Sequence, residues 1–126
     1  MNQSILVIDD SAAIRAVTKM AIAHLGVPVL EANSGEQALE VLRHNSVALI
    51  LSDVNMPGVS GLELLKRIKA EPALQGIPFV LVTTEASREM MEQGRAGGAK
   101  GWITKPFRND ALVQTVQHFL GSQLVH

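Results

Sequence analysis

The chain has 126 residues, 11 of them basic and 12 acidic, for a net charge of −1; its hydrophobic fraction is 47% and it has no cysteine. That length fits one domain, which can bury roughly two-thirds of its unfolded surface, in an aliphatic core because aromatics make up only 3%. The balanced charge gives no electrostatic argument for nucleic acid or an anionic membrane, and the missing cysteine excludes disulfides, thiolate catalysis and zinc–thiolate sites.

Met1 to Ser4 run straight into the first apolar segment, with no basic region and no cleavage site, and no apolar run reaches membrane-spanning length. A soluble cytoplasmic domain is therefore expected. Asn2-Gln3-Ser4 matches a glycosylation acceptor, which is expected to be idle without a secretion signal. Ser4 to Ile8 is a continuous β-rich run of the kind that is covered on both faces in a parallel sheet. A helix is predicted from about Ser11 to Leu25, with Ile14, Val17, Ala21 and Leu25 as its apolar stripe and Gly26 as its stop. Val27 to Ala32 reads as a second strand. Ser34 stands three residues before Gln37, the spacing of a capping box, and opens a helix to about His44.

Val47 to Ser52 is the third strand, followed by turn chemistry at Met56-Pro57-Gly58. Ser60 and Glu63 form a second capping-box pattern, opening a helix that Pro72 closes. Phe79 to Thr83 is the fourth strand, a helix follows from about Ser87 to Arg95, and Gly101 to Thr104 is the last strand. After Lys105-Pro106, Asn109 is expected to cap a final helix whose face is Leu112, Val116, Phe119 and Leu120. Five strands alternating with five helices imply a parallel α/β sheet with helices on both faces. The right-handed crossover rule limits the topologies without choosing the strand order.

Ligands of such sheets sit beyond the carboxyl ends of the strands, and Asp9, Asp10, Asp53, Thr83 and Lys105 all fall there. Asp9 and Asp10 also suit a helix N-cap, but capping needs one acid and two are present. Singly, Asp53 suits a turn, Thr83 a strand and Lys105 a solvated surface; the specificity lies in the set, spread over the ends of different strands. Two like charges about 4 Å apart repel by about 4 kcal/mol at an effective dielectric near 20, so converging carboxylates call for a cation. Mg²⁺ suits oxygen ligands of this kind together with phosphate oxygens. A carboxylate nucleophile, an ammonium, a hydroxyl and a metal are the parts that phosphoryl transfer requires.

The chain resembles the receiver domain of two-component response regulators, of the single-domain, chemotaxis-like kind. The resemblance rests on Val7-Ile8-Asp9-Asp10-Ser11, Asp53-Val54-Asn55-Met56-Pro57-Gly58, Gly61, Val82-Thr83-Thr84-Glu85-Ala86, Gly98-Ala99-Lys100-Gly101-Trp102 and Lys105-Pro106-Phe107, and covers essentially residues 1–126. It implies a flavodoxin-like (βα)5 three-layer sandwich of strand order 2-1-3-4-5, forming one receiver domain with no output domain. It further implies that Asp53 accepts a phosphoryl group from a histidine kinase or phosphotransfer protein, and that Mg²⁺ is bound by Asp9 (through water), Asp10, Asp53 and the backbone carbonyl of Asn55. Lys105 and Thr83 would contact phosphoryl oxygens, and the Lys105-Pro106 peptide would be cis. Thr83 and Trp102 would form the switch that remodels a target-binding face of helix four, strand five and helix five. Trp102 replaces the usual Tyr or Phe, and its bulk bears on whether that ring swings; Thr84 replaces a commonly small residue, and Asn55 and Glu85 occupy variable rim positions. A monomer is expected, with a phosphorylation-dependent dimer left open.

Other patterns carry less. Gly94 to Gly101 looks faintly like a phosphate-binding loop, but Ala99 precedes the lysine, Gly101 follows it, and the segment follows a helix. His24, His44, His118 and His126 show no ligand spacing and are expected at the surface or at helix ends, and Met90-Met91 reads as helix packing. An aspartate-nucleophile phosphatase of the haloacid dehalogenase type needs a second acid two residues after the nucleophile, where this chain has Asn55. A receiver-shaped module without phosphorylation is opposed by the intact Asp, Thr and Lys set.

Overall fold

The computed structural model describes residues 3–85 and 87–121. The acceptor pattern at Asn2 and the surface placement of His126 lie outside the described residues. Five strands and five helices alternate: β1 (Ser4–Ile8), α1 (Ala12–Ile22), β2 (Val29–Ala32), α2 (Gly35–His44), β3 (Val47–Ser52), α3 (Gly61–Lys69), β4 (Phe79–Thr83), α4 (Arg88–Ala96), β5 (Gly101–Thr104) and α5 (Asn109–Leu120). The strands form one parallel sheet ordered β2-β1-β3-β4-β5. This is the flavodoxin-like three-layer arrangement that the sequence led us to expect.

The period-two alternation of strand side chains divides the core into two halves. Leu6, Ile8, Ile50, Phe79 and Leu81 point to one face and pack with Ala38, Leu39 and Leu42 of α2 and Leu64, Leu65 and Ile68 of α3. Ile5, Val7, Leu49, Leu51, Val80 and Val82 point to the other and pack with Ala21 and Ile22 of α1 and Leu112, Val116 and Leu120 of α5. Every residue of β1, β3 and β4 is buried, whereas the edge strands β2 and β5 are mostly half-buried. Each fully buried Leu, Ile, Val or Phe contributes about 1.5–3 kcal/mol, so the three central strands anchor whatever is attached to their ends.

Serine caps start four helices. The hydroxyls of Ser11, Ser34, Ser60 and Ser87 accept the backbone N–H of Ile14, Gln37, Glu63 and Met90. Neither capping box closes reciprocally on its serine: Gln37 accepts the N–H of Asn33, and Glu63 turns to Arg67. Gly26, at φ 76°, stops the α1 segment after a 3-10 turn, Ala23–Leu25.

Three local expectations are corrected. The buried stripe of α1 is Thr18, Ala21 and Ile22, continued by Leu25, and Val17 is 50% exposed. The stripe can turn onto Thr18 because its hydroxyl donates to the Ile14 carbonyl at 2.8 Å, which satisfies the buried polar group. β2 begins at Val29 rather than Val27: Pro28 has no N–H for the ladder, although its carbonyl accepts from Ile5 N–H. Asn109 does not cap α5; Arg108 holds the N-cap position without a side-chain cap bond, and Asn109 is the first helical residue.

Two glycines matter for what the fold can hold. At Gly61 the start of α3 passes so close to β3 that a Cβ would overlap the carbonyl oxygen of Asp53. Gly94 lies inside α4, where glycine costs about 0.5–1 kcal/mol relative to alanine, and it is the buried residue of that helix.

Two measurements test this packing. Gly61→Ala should lower unfolding stability by about 1–3 kcal/mol or more, read from the urea midpoint; an unchanged midpoint would mean that α3 does not press on Asp53 as described. Val17→Lys should stay within about 0.5 kcal/mol of wild type, whereas a large loss would restore Val17 to the core.

Candidate functional site

The strand order reverses between β1 and β3, because the chain leaves β1 for β2 on one side and returns to β3 on the other. A crevice at the carboxyl ends is expected there. Asp9 and Asp10 follow β1, Asp53 follows β3, Thr83 ends β4 and Lys105 follows β5. The ladder carries the register to this rim: Asp9 N–H donates to the Ala32 carbonyl at 3.1 Å, Asp53 N–H to the Ile8 carbonyl at 3.0 Å, and Lys105 N–H to the Thr83 carbonyl at 2.9 Å.

Asp9 and Asp53 are buried at 4% and 7% exposure, while Asp10 is exposed. One carboxylate oxygen from each of the three lies within 4.8 Å of the others. Lys105 joins the two buried acids, its Nζ donating to Asp9 Oδ2 at 2.8 Å and to Asp53 Oδ2 at 3.1 Å. Burial by itself would lower the lysine pKa, but the hydrogen bonds and the charges of Asp9 and Asp53 outweigh it and hold the ammonium above its ordinary value. The Lys105–Pro106 peptide is cis.

Local hydrogen bonds fix each acid. Asp9 Oδ1 accepts the Ser11 N–H at 2.9 Å, and Arg15 Nη1 donates to the Asp9 carbonyl at 2.6 Å while its Nε meets Glu31. Asp53 Oδ1 accepts the N–H of Val54 at 2.7 Å and of Asn55 at 3.3 Å, and Ser52 Oγ donates to the Asp53 carbonyl at 2.9 Å. Thr83 is fully buried, and its Oγ1 accepts the Glu85 N–H at 3.2 Å. Asn55 and Thr84 are exposed on the rim.

The donor set fits a small hard divalent cation. Two ligands of one Mg²⁺ stand about 2.9 Å apart when adjacent and about 4.2 Å apart when opposite. The three carboxylates, each with an oxygen within 4.8 Å of the others, need only small side-chain adjustments, and Asp10 is exposed to water. The same residues provide no nitrogen or sulfur ligand that would favour a softer metal.

The structure therefore brings together Asp9, Asp10, Asp53 and Lys105, with Thr83 at the end of the neighbouring strand β4. Trp102 stands apart from the acids, with its indole N–H donating to the Glu85 carbonyl at 2.9 Å. His24, His44 and His118 are exposed and none joins the site, while Met90 packs on the core and Met91 is exposed. Gly94 to Ala96 belong to α4, so the segment that resembled a phosphate loop is partly helix. Sequence reasoning missed two contributors: Arg15, whose only signal was a basic residue one turn after the acid pair, and Gly94, whose signal was a glycine inside a helix.

Comparison with known proteins identifies the family. The family model of the response regulator receiver domain matches residues 5–117. Chemotaxis protein CheY-3 of Vibrio cholerae is 36% identical over 107 residues, covering 84% of this chain and 82% of that protein. The chemotaxis protein CheY homolog of Campylobacter jejuni is 35% identical over 120 residues, covering 94% and 92%. The solved structure of CheY4 of Vibrio cholerae matches with a TM-score of 0.88 at 34% identity, over 95% of this chain and 100% of that one. With a family match over most of its length and relatives above one-third identity, this chain belongs to the response regulator receiver family, and its relatives are of the CheY type.

Proposed function

We propose that the protein is a cytoplasmic receiver of a two-component phosphorelay that takes a phosphoryl group on Asp53 and changes its protein-binding face in response. The single observation that carries this reading is the buried pair Asp9 and Asp53 bridged by Lys105 at the sheet's reversal point. Receiver domains bind Mg²⁺ at such an acidic cluster, and Asp9, Asp10, Asp53 and the Asn55 backbone carbonyl would hold it here. When bound, the ion supplies positive charge against the equatorial phosphoryl oxygens.

The donor is a phosphohistidine on a histidine kinase or phosphotransfer protein. A carboxylate oxygen of Asp53 attacks phosphorus, the P–N bond breaks, and the imidazole leaves with the bonding pair and takes a proton from solvent. The product is an acyl phosphate on Asp53, which water slowly hydrolyses. Val54 and Asn55 N–H groups hold the Asp53 carboxylate in place. Lys105 is placed to exchange a carboxylate partner for a phosphoryl oxygen, because its ammonium already touches Asp53. Thr83 offers a buried hydroxyl one strand away, and Trp102 joins it in relaying the change to the face of α4, β5 and α5, where a downstream protein docks. Asn55 in place of a second acid removes the group that a phosphomonoesterase needs two residues after its nucleophile.

Incubation with acetyl phosphate and Mg²⁺ should add one phosphoryl group by intact mass, and both Asp53→Asn and a chelator should abolish it. Modification that survives Asp53→Asn would overturn the assignment. Lys105→Met should lose about 3 kcal/mol of stability in chelator, since it leaves two buried carboxylates without their counter-ion. Mg²⁺ should then return more stability to the variant than to wild type; equal Mg²⁺ effects on the two would show that lysine and metal do not share the same charges.

A further inference from the structure

Asp10 is the exposed acid of the cluster. The carboxylates of Asp9 and Asp53 accept backbone N–H groups, whereas no such bond holds Asp10 among the described residues. Its position therefore depends on the peptide unit that joins it to Asp9. That unit is planar, so fixing its carbonyl fixes the direction in which Asp10 leaves it. Arg15 does the fixing: Nη1 donates to the Asp9 carbonyl at 2.6 Å, and Nε donates to Glu31 Oε1 at 3.1 Å. The Arg15 side chain is only 17% exposed, and Lys19 Nζ stands 3.6 Å from Glu31 Oε2. Glu31 and Ala32 are consecutive in β2, and the Ala32 carbonyl accepts the Asp9 N–H at 3.1 Å. The edge strand thus holds Asp9 twice, directly and through Arg15, although it carries no acid of the cluster.

We propose that Arg15 is a positioning residue for Mg²⁺: through the Asp9 carbonyl it sets the Asp10 carboxylate before the ion arrives, and Glu31 holds the guanidinium in place. Its charge opposes a neighbouring cation, so its contribution is geometric. A lysine would keep the charge but lack the planar fork that meets two oxygens at once. This rests on the reading of the acid cluster as a Mg²⁺ site and concerns what organises that site.

Calorimetric titration of the full chain with magnesium chloride tests it. Arg15→Met should weaken Mg²⁺ binding about tenfold, the low end of what outer partners of metal ligands contribute. Removing a positive charge would by itself tighten binding, so the sign separates position from charge; an unchanged or tighter constant would overturn the proposal. A role in folding alone would shift the urea midpoint and leave the constant of the folded protein unchanged. Glu31→Gln should weaken binding about threefold, and the double variant should stay within about twofold of Arg15→Met, because the two residues act in one chain. Losses that multiply would count against that chain. Lys19→Ala, which loses a contact to Glu31 but none to Asp9, should bind within about twofold of wild type; a tenfold loss there would also overturn the proposal. If Arg15→Met fails to fold, Arg15→Lys decides by the same titration, with weaker binding expected and an unchanged constant contrary. Absence of Mg²⁺ binding in wild type would overturn the metal reading together with this proposal, whereas wild-type binding retained in full by Arg15→Met would overturn the proposal alone.

Discussion

Asp9 and Asp53 lie buried side by side, and a single ammonium group keeps their charges together. Two carboxylates about 4 Å apart repel by about 4 kcal/mol at an effective dielectric near 20, and a domain of this size has a total stability of only about 5–15 kcal/mol. Lys105 contacts both acids and comes from β5, two strands away from β3 across the sheet. The charge balance of the crevice therefore depends on the whole sheet being assembled. A change of charge at Asp53 would disturb the lysine's hydrogen bonds, because the ammonium touches that carboxylate directly.

That balance can be held because its supports do not give. β1, β3 and β4 are buried on both faces, and their ladder bonds run directly into the acids and the lysine. The approach of α3 at Gly61 closes the loop after Asp53 against the strand that carries it. Rigid strands bearing charged residues at their ends are a general way to hold those groups at fixed positions on a ligand-facing rim.

The periphery is less buried. β5 is a half-buried edge strand, and Trp102 on it reaches across to α4 and to the backbone of Glu85. A glycine inside α4 weakens that helix yet makes room for the indole.

The sequence by itself determined the element order, the two-faced burial of the central strands and the candidate residues Asp9, Asp10, Asp53, Thr83 and Lys105, because apolar runs and turn residues are local signals. The resemblance then supplied the strand order, which spacing could not choose. Tertiary packing decided the rest. Thr18 displaced Val17 from the α1 stripe because a hydroxyl satisfied by its own helix can be buried, which periodicity in hydrophobicity does not register. The bridge of Lys105 to Asp9 and Asp53, and the seat of Trp102 at Gly94, join residues far apart in the chain. Their energies arise only when the sheet brings those residues within hydrogen-bonding or van der Waals distance, so local sequence holds the parts while the fold creates the interactions.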